Sequence, residues 1–271
     1  MVNCFGGRFV VTLLSVNVNK VAVLRNSRGA EEPRPLTAAA CALAAGCHGI
    51  TVHPRPDQRH IRATDVLQIA GIVGQAELNI EGNPFAAARD EYPGLLQLVR
   101  QSRAAQVTLV PDADAQITSD HGFDRDTDFP RLQAMIREYK ACGARTSVFV
   151  DPGCTVIAEL AGCGVDRIEI YTGPFALAYA SGAFERELDA CVVTADRARE
   201  CGLGVNAGHD LSQANLATLL QAIPTLAEVS IGHALFAEAL YAGLDVTVRN
   251  YLDIIGRCAG VPGGGGARQS A

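Results

Sequence analysis

The chain has 271 residues, 48% hydrophobic and 19% charged. It can bury a large core, which excludes disorder and coiled coil. Its 23 basic and 29 acidic residues give a formal charge of −6, which argues against a general binder of nucleic acid or anionic membrane. Among the basic residues only Lys20 and Lys140 are lysine, so each invites a question. No apolar run reaches the ~18 residues of a membrane helix. Nine cysteines, odd in number and without a C-x-x-C pair, read as small buried hydrophobes in a reducing cytoplasm rather than as zinc ligands or disulfides.

The first apolar run, residues 11–19, ends in Asn17-Val18-Asn19-Lys20. It lacks a small-residue cleavage site and reads as a buried strand, not a signal peptide. A helical stretch at 38–46 leads into a β-rich run at 49–53, and further runs follow at 77–81 and 106–110. The polar segment 112–127 reads as a long loop and candidate lid. Helical stretches at 132–143, 156–164 and 195–202 lead into runs at 146–150, 167–171 and 203–206, and the last run is 228–231. The runs are short and nearly continuously apolar, as in strands buried on both faces. Eight strands alternating with helices predict an α/β fold, a closed (β/α)8 TIM barrel. No G-x-G-x-x-G follows the first strand to support a dinucleotide fold. The expected organisation is one barrel domain over 1–260 and a flexible Gly-rich tail over 261–271.

A barrel of this kind carries its chemistry at the C-terminal ends of its strands. Those ends supply Asn17, Asn19, Lys20 and Arg28, then His53, Arg55 and His60, then Glu81, then Asp112 and Thr118, then Asp151. They continue with Glu169 and Tyr171, then His209 with Asp210, then Gly232-His233. Four of the six histidines fall there, more than structural need accounts for. Asn19 alone could be satisfying loop backbone. Glu81 and Glu169, facing a barrel interior, must meet a cation, a histidine or a substrate, because an unpaired buried carboxylate costs several kcal/mol. A structural ring of ion pairs is the plain alternative for them. Gly232-His233 before a helix and the Arg55–His60 loop with Lys20 and Arg28 suggest two anion sites.

These residues lie in the segments SVNVNKVAVLRNSRG (15–29), GITVHPRPDQRHIR (49–62), ELNIEGNP (77–84), TLVPD (108–112), RIEIYTG (167–173), GVNAGHDL (204–211) and SIGHA (230–234). With them the chain resembles the pyridoxine 5′-phosphate synthase family. The resemblance implies a TIM barrel, an octamer of paired barrels, and no metal or organic cofactor. It implies condensation of two phosphorylated substrates, 1-deoxy-D-xylulose 5-phosphate and 3-amino-2-oxopropyl phosphate, to pyridoxine 5′-phosphate, phosphate and water. It further implies that His53 and Glu81 are the acid/base residues, that His209 is a proton donor and that Glu169 stabilises transition-state charge. Asn17, Arg28, Asp210, Gly232 and His233 would hold the amino-ketone phosphate; Asn19, Lys20, Arg55, His60 and Thr118 would surround the sugar phosphate. The chain departs from the best-known members at Asn19-Lys20, at Gly82-Asn83-Pro84 and at Asp210. Lys20 leaves a second reading open, an aldolase-like enzyme forming a Schiff base with a phosphorylated ketose. A non-catalytic metabolite-binding barrel would not need His53, Glu81, Glu169 and His209 together.

Overall fold

The computed structural model describes residues 11–113, 116 and 119–259. Thr118 and the tail 261–271 lie outside the described residues. Eight parallel strands close a barrel in sequence order. They are β1 (Leu13–Asn17), β2 (Gly49–Val52), β3 (Glu77–Gly82), β4 (Gln106–Leu109), β5 (Arg145–Val150), β6 (Arg167–Tyr171), β7 (Gly204–Gly208) and β8 (Glu228–Ile231). The helices are α1 (Asn19–Asn26), α2 (Pro35–Ala44), α3 (Ala63–Ala70), α4 (Leu95–Ser102), α5 (Phe129–Ala141), α6 (Ile157–Gly162), α7 (Gly173–Ser181), α8 (Glu185–Glu200), α9 (Leu216–Ala222), α10 (His233–Ala242) and α11 (Leu244–Cys258). The segments after β1, β6 and β8 therefore carry two helices each. The described part of 112–127 contains neither helix nor strand, as expected of a loop.

Local chemistry sets the boundaries. Pro35 opens α2, where its missing N–H has no intrahelical acceptor to lose. The Asp128 side chain accepts the Arg131 N–H at the start of α5. Gly143 and Gly202, at φ of 83° and 78°, make the left-handed turn that carries the chain from α5 into β5 and from α8 into β7.

The strands are not apolar on both faces. Their sequences alternate, and so do their side chains. Leu14, Val16, Ile50, Val52, Leu78, Ile80, Val107, Leu109, Val148, Ile168, Ile170, Val205, Val229 and Ile231 are fully buried in the apolar core against the helices. The intervening residues face the barrel axis, and most are polar. They satisfy one another: Ser15 and Thr51 hydroxyls lie 2.6 Å apart, Asn79 Nδ2 donates to Thr51 (3.3 Å), and Thr108 donates to Asn79 (3.1 Å). Mutual hydrogen bonding is what makes a buried polar interior tolerable.

A ring of ion pairs exists, but at the opposite end of the barrel from the candidate site and built from other residues. Arg145 pairs with Glu77, and Arg167 Nη1 reaches Glu228 (3.4 Å) and Asn206 (3.1 Å). Gln106 donates to both oxygens of Glu228 (3.3 Å) and accepts from Arg145 (2.8 Å). Glu81 and Glu169 take no part in it. Lys140, in the last turn of α5, bridges Gly164 O (2.9 Å) and Asp166 (2.7 Å).

Candidate active site

Strand one ends sooner than expected. Asn17 closes β1, but Asn19 is the first residue of α1, so the two do not share a strand face. The Asn17 amide donates toward Glu81 Oε2 (3.4 Å) and its oxygen accepts the Asn19 N–H (3.0 Å). The Asn19 oxygen in turn accepts the His53 N–H (2.8 Å). Asn19 thus satisfies backbone and fixes where the His53 ring sits.

His53, just beyond β2, is buried between two carboxylates. Its Nδ1 lies 3.6 Å from Glu81 Oε2 and its Nε2 lies 3.7 Å from Asp112 Oδ2. Arg55 is buried beside it and pairs with that same Asp112 oxygen, which also accepts from Ser119 Oγ (2.8 Å). His60 is buried edge-on to His53, ring centroids 5.7 Å apart. Its Nδ1 accepts the Ile61 N–H (2.9 Å), which places a neutral ring's proton on Nε2. The loop bearing these groups is pinned by Arg25, which is buried, pairs with Asp65 (2.6 Å) and donates to His60 O (3.0 Å). Beside the mouth lies a cavity of about 280 Å³ lined by His53, Arg55, Arg59, Asn83, Arg89 and Asp112 among others.

On the other side, β6 brings Glu169 inward, 2% exposed, with Thr108 Oγ1 donating to it at 3.5 Å. His209 follows β7 at φ 77° and Asp210 at φ 57°. Two successive non-glycine residues in the left-handed region are strained and need support. Thr172 supplies it: its hydroxyl lies 2.5 Å from Gly208 O and 2.6 Å from His209 O. Asn215 adds a bond to Asp210 O (3.2 Å). The His209 ring sits against Phe149 (5.4 Å) and Tyr171 (5.3 Å).

Burial inverts the usual proton preferences. It pushes Glu81 up to about 8, with the Asp112 charge adding to the effect. Glu169 is driven well above the carboxylate range by burial and by Glu81 and Glu228. His53 is pushed well down by burial and by Arg55 and the neighbouring histidines. Burial and Arg55 bring His60 to about 4, and burial lowers His209. Burial thus favours the neutral ring at His53, His60 and His209 and the acid form at Glu81 and Glu169, a set of bases and acids suited to exchanging protons.

The structure therefore unites Asn17, Asn19, His53, Arg55, His60, Glu81, Glu169 and His209. Gly232 caps α10 and packs on Asn17, where an added Cβ would come 3.1 Å from the Asn17 carbonyl oxygen. Lys20, Asp210 and His233 are exposed at the rim, and Arg28 lies on the exposed turn after α1. Asp112 and Thr172 were visible as strand-end residues, but nothing in the sequence gave them a role. Their importance rests on partners 57 and 37 residues distant. Among the described residues, no group of three or more His, Cys, Asp or Glu side chains is placed to hold a metal, and no helix is long and apolar enough to cross a membrane.

Comparison with known proteins agrees with this geometry. Residues 14–257 match the family model described as pyridoxal phosphate biosynthesis protein PdxJ. A pyridoxine 5′-phosphate synthase from Xanthomonas axonopodis pv. citri is 58% identical over 248 residues, covering 91% of this chain and 97% of the relative. One from Xylella fastidiosa is 56% identical over 246 residues, covering 90% and 95%. Among solved structures, 3-keto-L-gulonate-6-phosphate decarboxylase from Vibrio cholerae superposes with a TM-score of 0.60 at 9% identity, over 91% of this chain and 98% of that one. At that identity the likeness is one of fold.

Proposed function

The chain belongs to the pyridoxal phosphate biosynthesis protein PdxJ family, and from that premise we propose how its barrel mouth acts as a pyridoxine 5′-phosphate synthase. It condenses 1-deoxy-D-xylulose 5-phosphate with 3-amino-2-oxopropyl phosphate, releasing phosphate and water. The observation that carries this reading is geometric: His53 lies between Glu81 (3.6 Å) and Asp112 (3.7 Å) on one side of the mouth, with buried Glu169 and the His209 ring against Phe149 and Tyr171 on the other.

The amine of one substrate adds to the ketone of the other, and a molecule of water leaves to give an imine. Phosphate elimination and ring closure then move further protons on and off carbon and oxygen. Each departure needs a proton delivered to an oxygen, and each new double bond needs one removed from carbon or nitrogen. His53, with Glu81 at 3.6 Å, serves removal and return at one side. His209 serves delivery at the other, because burial makes its imidazolium, once formed, a strong acid. Glu169 is held where charge develops between them. Arg55 and His60 flank the sugar phosphate, with Asn19 placing His53, and the family resemblance assigns Thr118 to the same phosphate. Asn17, Arg28, Asp210 and the α10 N-terminus at Gly232-His233 take the amino-ketone phosphate. Lys20 is exposed and so lacks the desolvation that makes a lysine a ready nucleophile; its position favours a point charge for phosphate over a Schiff base.

Purified protein given both substrates should release phosphate and pyridoxine 5′-phosphate in equal amounts. Folded protein that forms no product would refute the reading. The same chain acts in the cytoplasm as a homo-oligomer, supported by Leu177, Leu240 and Tyr241 at 78%, 76% and 93% exposure. Light scattering that found only monomer would refute the assembly.

A further inference from the structure

We propose that Asp112 is a positioning residue that sets the tautomer of His53, holding its proton on Nε2 and leaving Nδ1 as the basic atom facing Glu81 and the reaction. The inference rests on the synthase reading above and adds a residue to it.

The geometry is that of an imidazole between two carboxyl groups. One ring edge meets Glu81 at 3.6 Å and the other meets Asp112 at 3.7 Å. A neutral ring carries one proton, so one edge donates and the other accepts. The two carboxyls differ in partners. Asp112 Oδ2 is paired with the Arg55 guanidinium and accepts from Ser119 Oγ (2.8 Å). Glu81 has the neutral Asn17 amide (3.4 Å), and burial and the Asp112 charge favour its protonated form. The Nε2 edge, facing the ion-paired carboxylate, is therefore the one suited to carry the proton, and the Nδ1 edge, facing the carboxylic acid, the one suited to keep its lone pair. When Nδ1 takes a proton from substrate, the bonding pair stays on the substrate and the positive ring lies against Asp112. Both contacts are slightly longer than hydrogen bonds, as catalytic contacts often are before a ligand closes the site. Asp112 and His53 both line the cavity, so a ligand there bears on both.

A carboxylate that fixes a histidine tautomer without itself exchanging a proton is a recurring arrangement. Asp112 belongs to the β4–α5 loop, and through Oδ2 it ties that loop to the Arg55 loop. The groups bearing on His53 and Glu81 are Arg55, Arg59 and His60 after β2, Asp112 after β4, His209 after β7, Glu169 on β6 and Glu228 on β8. Asp112 is the carboxyl placed against His53 Nε2, at 3.7 Å.

The test compares wild type, Asp112→Asn and Asp112→Glu, with ¹⁵N-histidine NMR of the unliganded protein and with steady-state kinetics across pH. His53→Gln assigns the His53 signals. Wild-type turnover in the same assay tests the synthase activity itself, and the NMR readout needs no turnover, so the two can fail separately. In wild type, the His53 signals should report protonation at Nε2. Asp112→Asn should shift them toward Nδ1 protonation and lower kcat roughly tenfold to hundredfold. It should also move the basic limb of the pH profile to lower pH, because Glu81 loses a charge that favours its acid form. Asp112→Glu should recover the tautomer and part of kcat. An Asp112→Asn protein that melts like wild type but keeps its tautomer and pH profile would overturn the proposal, as would a wild-type His53 protonated at Nδ1.

Discussion

Gly208 has no room for a side chain, and the obstacle is the proposed charge-stabilising carboxyl. A Cβ built there would overlap Glu169 Oε1 and lie 3.3 Å from Glu169 Cδ and 3.2 Å from Ser230 O. Real Cβ atoms do not come within 3.0 Å of a heavy atom, so in Gly208→Ala the carboxyl must withdraw by roughly half an ångström or more. The atom in the way is the far end of a side chain, so the carboxyl yields before the barrel does. The stability cost should then fall at the low end of overpacking, about 1 kcal/mol. Catalysis depends more steeply on position. Misplacing a group by ~1 Å can cost about a hundredfold, so the variant should lose roughly tenfold to hundredfold in kcat, or about 1.4–2.7 kcal/mol of transition-state stabilisation. KM should change little, because Glu169 lies inside the barrel away from the proposed phosphate sites. Product formation under saturating substrates gives kcat, and thermal unfolding gives the stability change. Wild-type kcat in folded Gly208→Ala would refute the placement of Glu169 at the reacting centre.

Glu81 titrates at about 8 when folded against about 4.3 unfolded. Its acid form is favoured by folding, so that contribution is complete below pH ~4 and is lost as pH rises toward 8. The melting temperature of Glu81→Gln should therefore gain on wild type between pH 5 and 8 and level off above; a constant difference across that range would contradict the buried acid. Lys20→Arg keeps the charge and should hold turnover within a few-fold, with borohydride trapping no ketose adduct on wild type. A trapped adduct would make Lys20 a nucleophile. Thr172→Val removes the hydroxyl that serves the Gly208 and His209 carbonyls, and should cost about 1–3 kcal/mol in unfolding free energy as well as lowering kcat through His209. Unchanged values for both would show that the turn holds itself.

Much of the molecule was legible from one chain. Short, nearly continuously apolar runs broken by Gly and Cys punctuation predict eight strands, their ends supply His53, Glu81, Glu169 and His209 among others, and the family resemblance gives these four their expected roles. What misled was the inward face. The runs E-L-N-I-E and R-I-E-I-Y look apolar enough to be buried on both sides, and they are buried, but their alternate polar residues meet partners from other strands. Asn19 likewise looked like a strand residue facing a ligand and proved to open a helix and hold the His53 backbone. The two roles assigned to Asp112 and Thr172 need atoms from distant segments and leave no local pattern.

The sequence by itself determined the barrel, its polarity and the kinds of group at its mouth, because short apolar runs, the helical stretches between them and strand-end position are local properties that every residue carries with it. Tertiary structure alone decided which Glu joins a salt bridge and which stays a buried acid. Glu77 and Glu228 close on Arg145 and Arg167 at one end of the barrel, while Glu81 and Glu169 at the other lie in an environment that keeps their protons on. Glu77 is held down by its bond to Arg145 while Glu81 is pushed up by burial, because a proton's free energy depends on desolvation and on charges a few ångströms away, and only the closed barrel sets those distances.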